Sequence, residues 1–221
     1  MSLYTIATST KLPKVKMPTG LTVEESSNPV FLSELCDITI EEANNRLANN
    51  NLAFVAYIND EPASFGWMAM GKAKIGELNH EFALPHNHGY LWNFRTLVAF
   101  RGLGIYAALL QHIIRYNPAE TSHYWIIHAP ENKASLKGIA KAGFIHVGSL
   151  FIGKSMQPEL KIDEQYQFDL NPLKAMGFYR SSDEASSCWN CSSPYLKKRI
   201  LECCCGNEGE ECKNYNLPAF I

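Results

Sequence analysis

The spacing of apolar residues alternates along the chain between the period of a strand and the period of a helix. Residues 21–25, LTVEE, alternate apolar and polar positions and predict the first strand. Residues 29–49 have helical spacing instead. Within them Thr39 is a candidate helix N-cap and Glu42, three residues later, completes a capping-box pattern, so we expect a helix to begin at this point.

The next segments have the shorter period of strands. Two apolar runs flank the polar turn at 59–62, which predicts a β-hairpin over 52–70. Residues 71–88 are mostly polar and contain three histidines, and we expect a loop there. From Tyr90 the sequence YLWNFRTLVAF is rich in aromatic and β-branched residues, which predicts another strand.

The second half of the chain alternates between helical and strand spacing. The elements expected there are a helix at 102–116, a strand at 123–129, a helix at 130–142, a strand at 144–156 and a strand at 165–170 that pairs with it. Strands joined by a helix crossover are typical of mixed α/β domains. The order therefore predicts an α/β (α+β) fold in which helices flank a central sheet.

The bulk composition fits one globular domain with a small appendage. The chain has 221 residues, of which 46% are hydrophobic and 19% charged, and its net charge is -2. This charge does not favour a general nucleic-acid binder, and no stretch approaches the roughly 20 apolar residues of a membrane span. The N-terminus lacks the order of a signal peptide, so we expect a cytoplasmic protein. The predicted organisation is an N-terminal extension at 1–20, the α/β domain at 21–170, a linker at 171–187 and a Cys-rich tail at 188–221.

The stretch GSLFIGKS at 148–155 matches a nucleotide-binding P-loop pattern letter for letter. A P-loop needs a turn of small residues that is followed directly by a helix. Here an apolar run stands between the two glycines, and Pro158 follows with no helical pattern behind it. We therefore interpret the segment as a strand that contains two glycines.

A second candidate for phosphate binding, RGLGIY at 101–106, lies between a predicted strand and a predicted helix. The first N–H groups of a helix have no partner, and the helix dipole favours an anion at that end. Gly102 and Gly104 would let a pyrophosphate approach the backbone, and Arg101 adds positive charge. The residues alone leave a second interpretation open, a strand-to-helix turn whose glycines serve packing.

The segment around this turn resembles a motif of the GCN5-related N-acetyltransferase (GNAT) family. In that family a strand ends in V-x-x-x-[QR]-x-x-G-x-[GA], a loop that binds the pyrophosphate of acetyl-CoA. The matching residues are Val98, Arg101, Gly104 and, at the last place, Tyr106 instead of a small residue.

A second motif of the same family lies about thirty residues further on. It consists of an Asn that opens a helix, a small residue three positions later and a Gly-Phe pair that begins the next strand. The matching residues are Asn132, Ser135, Gly143 and Phe144. The resemblance extends over 21–170 and implies a mixed, mostly antiparallel central sheet flanked by helices.

The resemblance implies that acetyl-CoA binds in a gap between the strands at 90–98 and 123–128. The end of the first strand would pair with the pantetheine arm, the glycine turn would hold the pyrophosphate, and the second helix would reach the cofactor from its first turn. The residues implied to contact acetyl-CoA are Leu97, Val98, Ala99, Arg101, Gly102, Leu103, Gly104, Ile105, Tyr106, Asn132 and Ser135.

The implied reaction is direct transfer of an acetyl group from acetyl-CoA to a primary amine of a small molecule or a peptide. The amine must lose a proton, and a histidine has a suitable pKa for this task. We expect His128, at the end of a strand beside the gap, to be the general base, with Glu81 as the second candidate and a water chain as a third.

The general acid is less well marked in the sequence. Many members of the family have a tyrosine seven residues after the motif Asn, and here that position is Ile139. Ser135, one turn earlier, is the candidate substitute, and Tyr106 is another. The thiolate can also leave without help, since a free thiol has a pKa of about 8.5. No motif identifies the acceptor.

Six of the seven cysteines lie in the tail, where CWNC has the spacing of one half of a zinc site. The expected zinc ligands are Cys188, Cys191, Cys204 and Cys212. Reduced thiols or disulfides are the alternatives.

A zinc-held tail would suit a docking module, so the alternative function is a CoA-binding or partner-docking protein on a degenerate GNAT fold. A homodimer is left open, and no membrane partner is expected.

Overall fold

The computed structural model describes residues 1–117, 120–129, 132–183 and 193–195. The strands of the first half are β1 (Ser2–Ala7), β2 (Leu21–Ser26), β3 (Asn51–Ile58), β4 (Glu61–Met70), β5 (Lys72–Ile75) and β6 (His80–Ala83). Those of the second half are β7 (His88–Thr96), β8 (His123–His128), β9 (Ile145–Ile152), β10 (Pro158–Ile162) and β11 (Tyr179–Arg180). The α-helices are α1 (Pro29–Cys36), α2 (Ile40–Ala48), α3 (Ile105–Tyr116), α4 (Lys133–Ala142) and α5 (Asn171–Ala175). No helix in the described ranges is long and apolar enough to cross a membrane.

Most strands belong to one large sheet. Within the part of the chain that the structure describes, nine strands follow in the order β11-β10-β9-β1-β8-β7-β4-β3-β2, and β5 pairs with β6 in a separate hairpin. The pairs β7–β8 and β10–β11 are parallel, whereas the other neighbours in the large sheet are antiparallel. This mixed, mostly antiparallel sheet with flanking helices confirms the predicted fold class.

Helices cover both faces of the large sheet, because successive strand residues alternate between two layers of core. On one face α3 and α4 pack in a cluster that contains Leu109 and Ile139. On the opposite face α1 packs around Leu32. The β5–β6 hairpin and α5 continue that second layer around Phe82 and Leu173.

Two predictions of local structure are confirmed. Thr39 caps α2, since its Oγ1 accepts a hydrogen bond from the Glu42 N–H at 3.1 Å. In the β3–β4 hairpin Asn59 and Asp60 both have positive φ, 48° and 67°. A two-residue type I′ turn requires this conformation, and Asn and Asp tolerate it better than most residues.

The segment 1–20 is not simply an extension of the domain, because Ser2–Ala7 forms a central strand. β1 is antiparallel to both β8 and β9, and its Leu3 and Ile6 are almost fully buried. Its contacts are distant in sequence, since Thr5 Oγ1 donates to the carbonyl of Tyr124, 119 residues away. A short strand carries no local signal of such a partner, which is why the sequence did not predict its place.

Two connecting segments also differ from the prediction. The segment 71–88, expected to be a loop, contains the β5–β6 hairpin and a 3₁₀ helix. The partner of β9 is β10, at 158–162, and no strand lies in 165–170. The three missed strands, β5, β6 and β10, are only four or five residues long, so their apolar content is too small to be recognised without the partner strand.

The domain continues beyond residue 170, where the sequence predicted a linker. α5 follows directly, and β11 adds to the edge of the sheet beside β10. Leu173, Met176 and Phe178 are buried in the core. The segment up to Arg180 therefore belongs to the folded domain.

Residues 148–152 of the GSLFIGKS segment lie in β9, which agrees with its interpretation as a strand, and residues 153–155 follow in the turn to β10. Its glycines are explained by packing against β10. A Cβ atom on Gly148 would collide with the backbone carbonyl of Lys161, and one on Gly153 would collide with the side chain of Glu159. The match to a P-loop is therefore a coincidence of letters.

Candidate active site

The parallel strands β7 and β8 separate partway along their length. They pair from His88 opposite His123 to Leu91 opposite Ile126. β7 then continues to Thr96 and β8 to His128 without pairing with each other, although β7 stays paired with β4 and β8 with β1. The gap predicted between these strands is therefore present, and its walls are the facing edges of β7 and β8.

A β-bulge lies in β7 where the gap begins. Asn93 has a left-handed backbone, with φ at 51°, and the register between β4 and β7 shifts at this level. A bulge bends its strand and increases the local twist. Its position, two residues after the last β7–β8 pair, helps to direct the end of β7 away from β8.

The glycine turn stands at the open end of the gap and leads into α3. Gly102 and Gly104 have φ of 84° and 83°, and a Cβ atom on either would meet no atom within 4 Å. The turn needs glycine for its backbone conformation, and the space beside it is open. Gly104 is also the N-cap of α3 and has no side chain to cap the first turn. The first N–H groups of α3 can therefore bind an anion.

The apolar side chains around this turn face outward. Val98 is 74% exposed and Leu103 is 53% exposed. Arg101 is also exposed, and its Nε donates to the carbonyl of Thr96 at 3.2 Å, which leaves the terminal nitrogens of the guanidinium available for a ligand. A bound molecule with both apolar and anionic parts would cover this surface.

Leu97, Val98 and Ala99 do not extend the strand as the sequence predicted. Val98–Phe100 is a 3₁₀ helix, and β7 ends at Thr96. The N–H of Leu97 donates to the carbonyl of Ala63 at 2.9 Å, so it is not available to a cofactor. The part of the backbone that could pair with an extended ligand is the unpaired edge of β7 before residue 97.

Tyr106, which replaces the small residue of the turn motif, points away from the turn and into the space between α3 and α4. Its ring lies 5.5 Å from that of Phe94 in β7. Its hydroxyl is 3.4 Å from Ser135 Oγ, and its ring occupies the place that a Cβ atom of Gly138 would need. Burial raises the pKa of Tyr106 far above its usual value, so the phenol stays protonated.

Asn132 is the N-cap of α4 and connects this helix to β8. Its Oδ1 accepts the backbone N–H of Ser135 at 2.9 Å, as an N-cap side chain does. Its backbone carbonyl accepts a hydrogen bond from Nε2 of His128 at 3.1 Å. The capping role is therefore established by geometry, and the side-chain Nδ2 is the atom that could still reach a ligand.

His128 is placed at the gap as the sequence predicted. It is only 4% exposed, and among the described residues its Nδ1 has no hydrogen-bond partner. A carbonyl can only accept, so the contact with Asn132 puts the proton on Nε2 and leaves the lone pair on Nδ1. Burial lowers the pKa of His128, which keeps the ring neutral.

Glu81, the second candidate for the general base, and Ile139, at the position of the family's tyrosine, differ in their exposure. Glu81 is exposed on β6, whereas its neighbour Phe82 packs inward, so the carboxylate points away from the sheet. Ile139 is completely buried in the core beside α3. The role of Glu81 as a base stays a prediction, and its outward direction depends on a hairpin that the sequence did not reveal.

A polar group on the α3/α4 face was missed by sequence reasoning. The ring of Tyr4 lies 6.1 Å from that of His128 and 5.2 Å from that of His146. Nδ1 of His146 is 2.6 Å from Oδ2 of Asp163, and the backbone N–H of Gln165 together with His146 lowers the pKa of this carboxyl. These residues meet because β1 stands between β8 and β9, so no local pattern could have indicated the group.

The zinc prediction stays untested by the structure. Its four ligands, Cys188, Cys191, Cys204 and Cys212, lie outside the described residues. Within the described ranges no group of three or more His, Cys, Asp or Glu side chains is arranged to hold a metal ion.

Comparison with known proteins identifies relatives of this fold. A model described as the acetyltransferase (GNAT) family matches residues 21–144, and no curated protein matches the chain. Among solved structures, AAC(6')-Iy in complex with the bisubstrate analog CoA-S-monomethyl-acetylneamine is 13% identical, with a TM-score of 0.49 over 62% of this chain and 98% of that one. The aminoglycoside antibiotic 6'-N-acetyltransferase AAC(6')-Ih from Acinetobacter baumannii is 14% identical, with a TM-score of 0.48 over 61% and 97%. A GCN5-related N-acetyltransferase from Kribbella flavida is 13% identical, with a TM-score of 0.36, and the alignment spans 57% of this chain but only 46% of that protein.

Proposed function

Since the chain belongs to the acetyltransferase (GNAT) family, we propose that it transfers an acetyl group from acetyl-CoA to a primary amine by direct attack on the thioester. The observation that carries this proposal is the gap between β7 and β8, which opens next to an uncapped helix N-terminus. The gap can take an extended arm, and the helix end can take a pyrophosphate.

The cofactor would enter with its pyrophosphate at the turn formed by residues 101–106. Backbone N–H groups at the start of α3 would bind the phosphate oxygens, and Arg101 would add a positive charge from the side. The pantetheine arm would follow the free edge of β7 between Asn93 and Thr96, in the way an added strand pairs with a sheet edge.

His128 would act as the general base. Its Nδ1 is unprotonated and without a partner among the described residues, so it can take the proton of the attacking amine directly or through one water. The bond to Asn132 fixes the tautomer that this role requires. The negative charge that develops on the thioester oxygen would be stabilised by an N–H on the free edge of β7, because the Leu97 N–H is already used.

The acceptor would be the amine of a small molecule or a peptide, reached from the side of the gap opposite α3 and α4. Trp92, partly buried, lies on that side and contacts both core clusters of the second layer. The guanidinium carbon of Arg46 lies 4.6 Å from the centroid of the Trp92 ring, so this ring already holds a cation and would offer the acceptor an apolar surface.

Replacement of Gly102 by alanine tests the cofactor site. The Cβ would project into the open space beside the turn, and Gly71 offers a matched control with the same φ of 84° and equally open surroundings, far from the gap. Both variants should lose about 1 kcal/mol of stability from the positive φ. Only Gly102→Ala should bind acetyl-CoA at least about tenfold more weakly in calorimetric titration, a difference of about 1.4 kcal/mol.

The competing function is a CoA-binding or docking protein without activity. A screen for acetyl-CoA-dependent thiol release across polyamines, aminoglycosides, amino acids and peptides separates the two. Cofactor binding without turnover on any of these amines would favour the CoA-binding protein. Absence of binding at millimolar acetyl-CoA would refute the enzyme and favour a partner-docking protein on a degenerate fold.

A further inference from the structure

The side of the gap from which the acceptor would enter carries two arginines. Trp92 lies on that side, and the guanidinium of Arg46, on α2, rests over its ring. Arg95 lies further along the same strand, in the part of β7 that no longer pairs with β8. Positive charge at this place affects which amines can approach the gap, because most aliphatic amines are cations at neutral pH.

The pairing of β7 with β4 determines the face of the sheet to which Arg95 belongs. Arg95 stands opposite Phe65, and directly opposed residues of an antiparallel pair point to the same face. Phe65 is buried with α1 in the second layer, whereas Phe94 packs with α3 and α4 on the other face. The side chain of Arg95 therefore leaves the sheet on the same face as Trp92, at the edge of the gap.

Arg95 is exposed at this edge, where β8 does not pair with β7. Within the described ranges its guanidinium forms neither a salt bridge nor a hydrogen bond. The N–H donors of a guanidinium form a rigid fork that matches both oxygens of a carboxylate. Arg95 therefore presents an unused binding group for a carboxylate beside the free edge of β7.

Arg46 adds a second positive charge that is held in place. Its Nε donates to Oε1 of Glu42 at 2.8 Å, and its side chain is only 11% exposed. Its Nη1 is buried and has no hydrogen-bond partner in the part of the chain that the structure describes. Burial raises the pKa of the Cys36 thiol, and the charges of Arg46 and Arg95 both oppose this effect, so both guanidinium groups lie near the same thiol. The two arginines thus form one positive region, of which Glu42 neutralises only a part.

We propose that the acceptor is an amino acid and that Arg95 binds its carboxylate, an inference that rests on the proposed acetyl transfer. The carboxylate would accept two parallel hydrogen bonds from the guanidinium, and the amine on the neighbouring carbon would face the thioester beside residues 93–96. Arg46 would add to the attraction. Polyamines and aminoglycosides carry several positive charges, and the same region would repel them.

A matched pair of acceptors tests the role of the carboxylate. Each amino acid is compared with its carboxamide, which has the same side chain but no negative charge. The amide has the less basic amine and therefore more of the free nucleophile at neutral pH, so reactivity alone would favour the amide. We expect the wild-type protein to reverse this order, with a kcat/KM about tenfold or more higher for the acid, measured as release of the CoA thiol.

Replacement of Arg95 by glutamine tests the residue. In Arg95→Gln the charge is lost at an exposed position, so kcat/KM for amino acids should fall about tenfold or more, while that for the carboxamides changes less than about threefold. Arg180→Gln is the matched control, because Arg180 is also exposed but lies on the edge strand β11, and it should keep the wild-type preference. The Kd for acetyl-CoA, measured by calorimetric titration, should stay within about threefold of the wild-type value in both variants, since the pyrophosphate is assigned to the glycine turn.

Three results would overturn the inference and leave acetyl transfer standing. The first is a wild-type protein that uses polyamines, aminoglycosides or carboxamides as well as it uses amino acids. The second is an equal loss of kcat/KM for acids and amides in Arg95→Gln. The third is a loss of acetyl-CoA affinity as large as the loss of kcat/KM, which would assign Arg95 to the cofactor. A wild-type protein that turns over no amine at all would instead refute the proposed function, and the inference with it.

Discussion

At the scale of single residues, the hydrogen-bond partner of one ring nitrogen of His128 determines whether the other nitrogen carries a proton. His128 donates from Nε2 to a carbonyl that can only accept, and so Nδ1 has to carry the lone pair. The ring is buried and its pKa is lowered, so it is neutral at physiological pH. The residue can therefore accept a proton but has only one nitrogen with which to do so.

The substitution His128→Gln tests the roles of the two ring nitrogens separately. The glutamine amide can still donate to the carbonyl of Asn132, but it has no group in place of the basic Nδ1. We expect kcat/KM to fall about 100-fold, while the free energy of unfolding changes by about 1 kcal/mol or less. His146→Gln is the control, since it removes a histidine of the same polar group that does not lie at the gap.

The pH dependence of kcat/KM adds a second criterion. A general base is active when unprotonated, so wild-type activity should fall as the pH drops through the lowered pKa of His128, below the usual 6.5. This acid limb should be absent in His128→Gln. An acid limb that survives in the variant would assign the base to another group.

At the scale of elements, a second histidine shows how packing at a strand start affects stability. His88 begins β7 opposite His123 of β8, and its Nδ1 accepts a hydrogen bond from Trp125 Nε1 at 2.9 Å. Burial and, to a smaller extent, His123 lower the pKa of His88 to about 4. The folded protein therefore holds this ring neutral in a pH range where the unfolded chain would protonate it.

Stability should accordingly decrease as the pH falls from about 6.5 to about 4, because the unfolded state takes up the proton first. Above this window the contribution of His88 is fully present. In His88→Asn the side-chain oxygen can still accept from Trp125 but does not titrate. Urea unfolding at pH 7 and pH 4.5 should show a smaller loss for this variant than for the wild type, and His86→Asn, at an exposed site, should behave as the wild type.

The elements that were predicted correctly have signals within a few residues. The N-cap Thr39, the turn at Asn59 and Asp60 and the glycine turn before α3 all depend on local backbone conformation, which residue type determines directly. The missed strand β1 depends on strand partners that are distant in sequence. The strands of the missed β5–β6 hairpin are local partners, but the hairpin packs against Leu173 and Phe178 from a distant part of the chain. The same division holds in the site, where the gap and His128 were predicted but the direction of Glu81 and the 3₁₀ helix at Val98–Phe100 were not.

At the scale of the whole molecule, β1 joins the strands β9, β10 and β11 to the rest of the large sheet. It lies between β8 and β9, and it contributes to both layers of the core through Leu3 on one side and Ile6 on the other. Ile6→Ala should therefore lower the free energy of unfolding by about 2 to 5 kcal/mol, because the deleted atoms leave a cavity in a close-packed core.

The matched control is Ile145→Ala, which deletes the same atoms from a side chain that is 39% exposed on β9. It should cost about 1 kcal/mol or less. Equal losses in the two variants, measured by urea unfolding, would contradict a central role for β1. Ile145→Ala should also leave the gap between β7 and β8 intact, so its affinity for acetyl-CoA should stay unchanged.

The place of β1 also constrains the order of events during synthesis. Its partners on one side come from Tyr124 and its neighbours, 119 residues after Thr5, so β1 is synthesised long before β8 and has to wait for most of the domain before it can pair. β9 and β10 cannot join the sheet until this strand is in position. Contacts between residues so distant in sequence slow folding. The β8 wall of the gap can therefore be joined to β1 only after most of the domain has been synthesised.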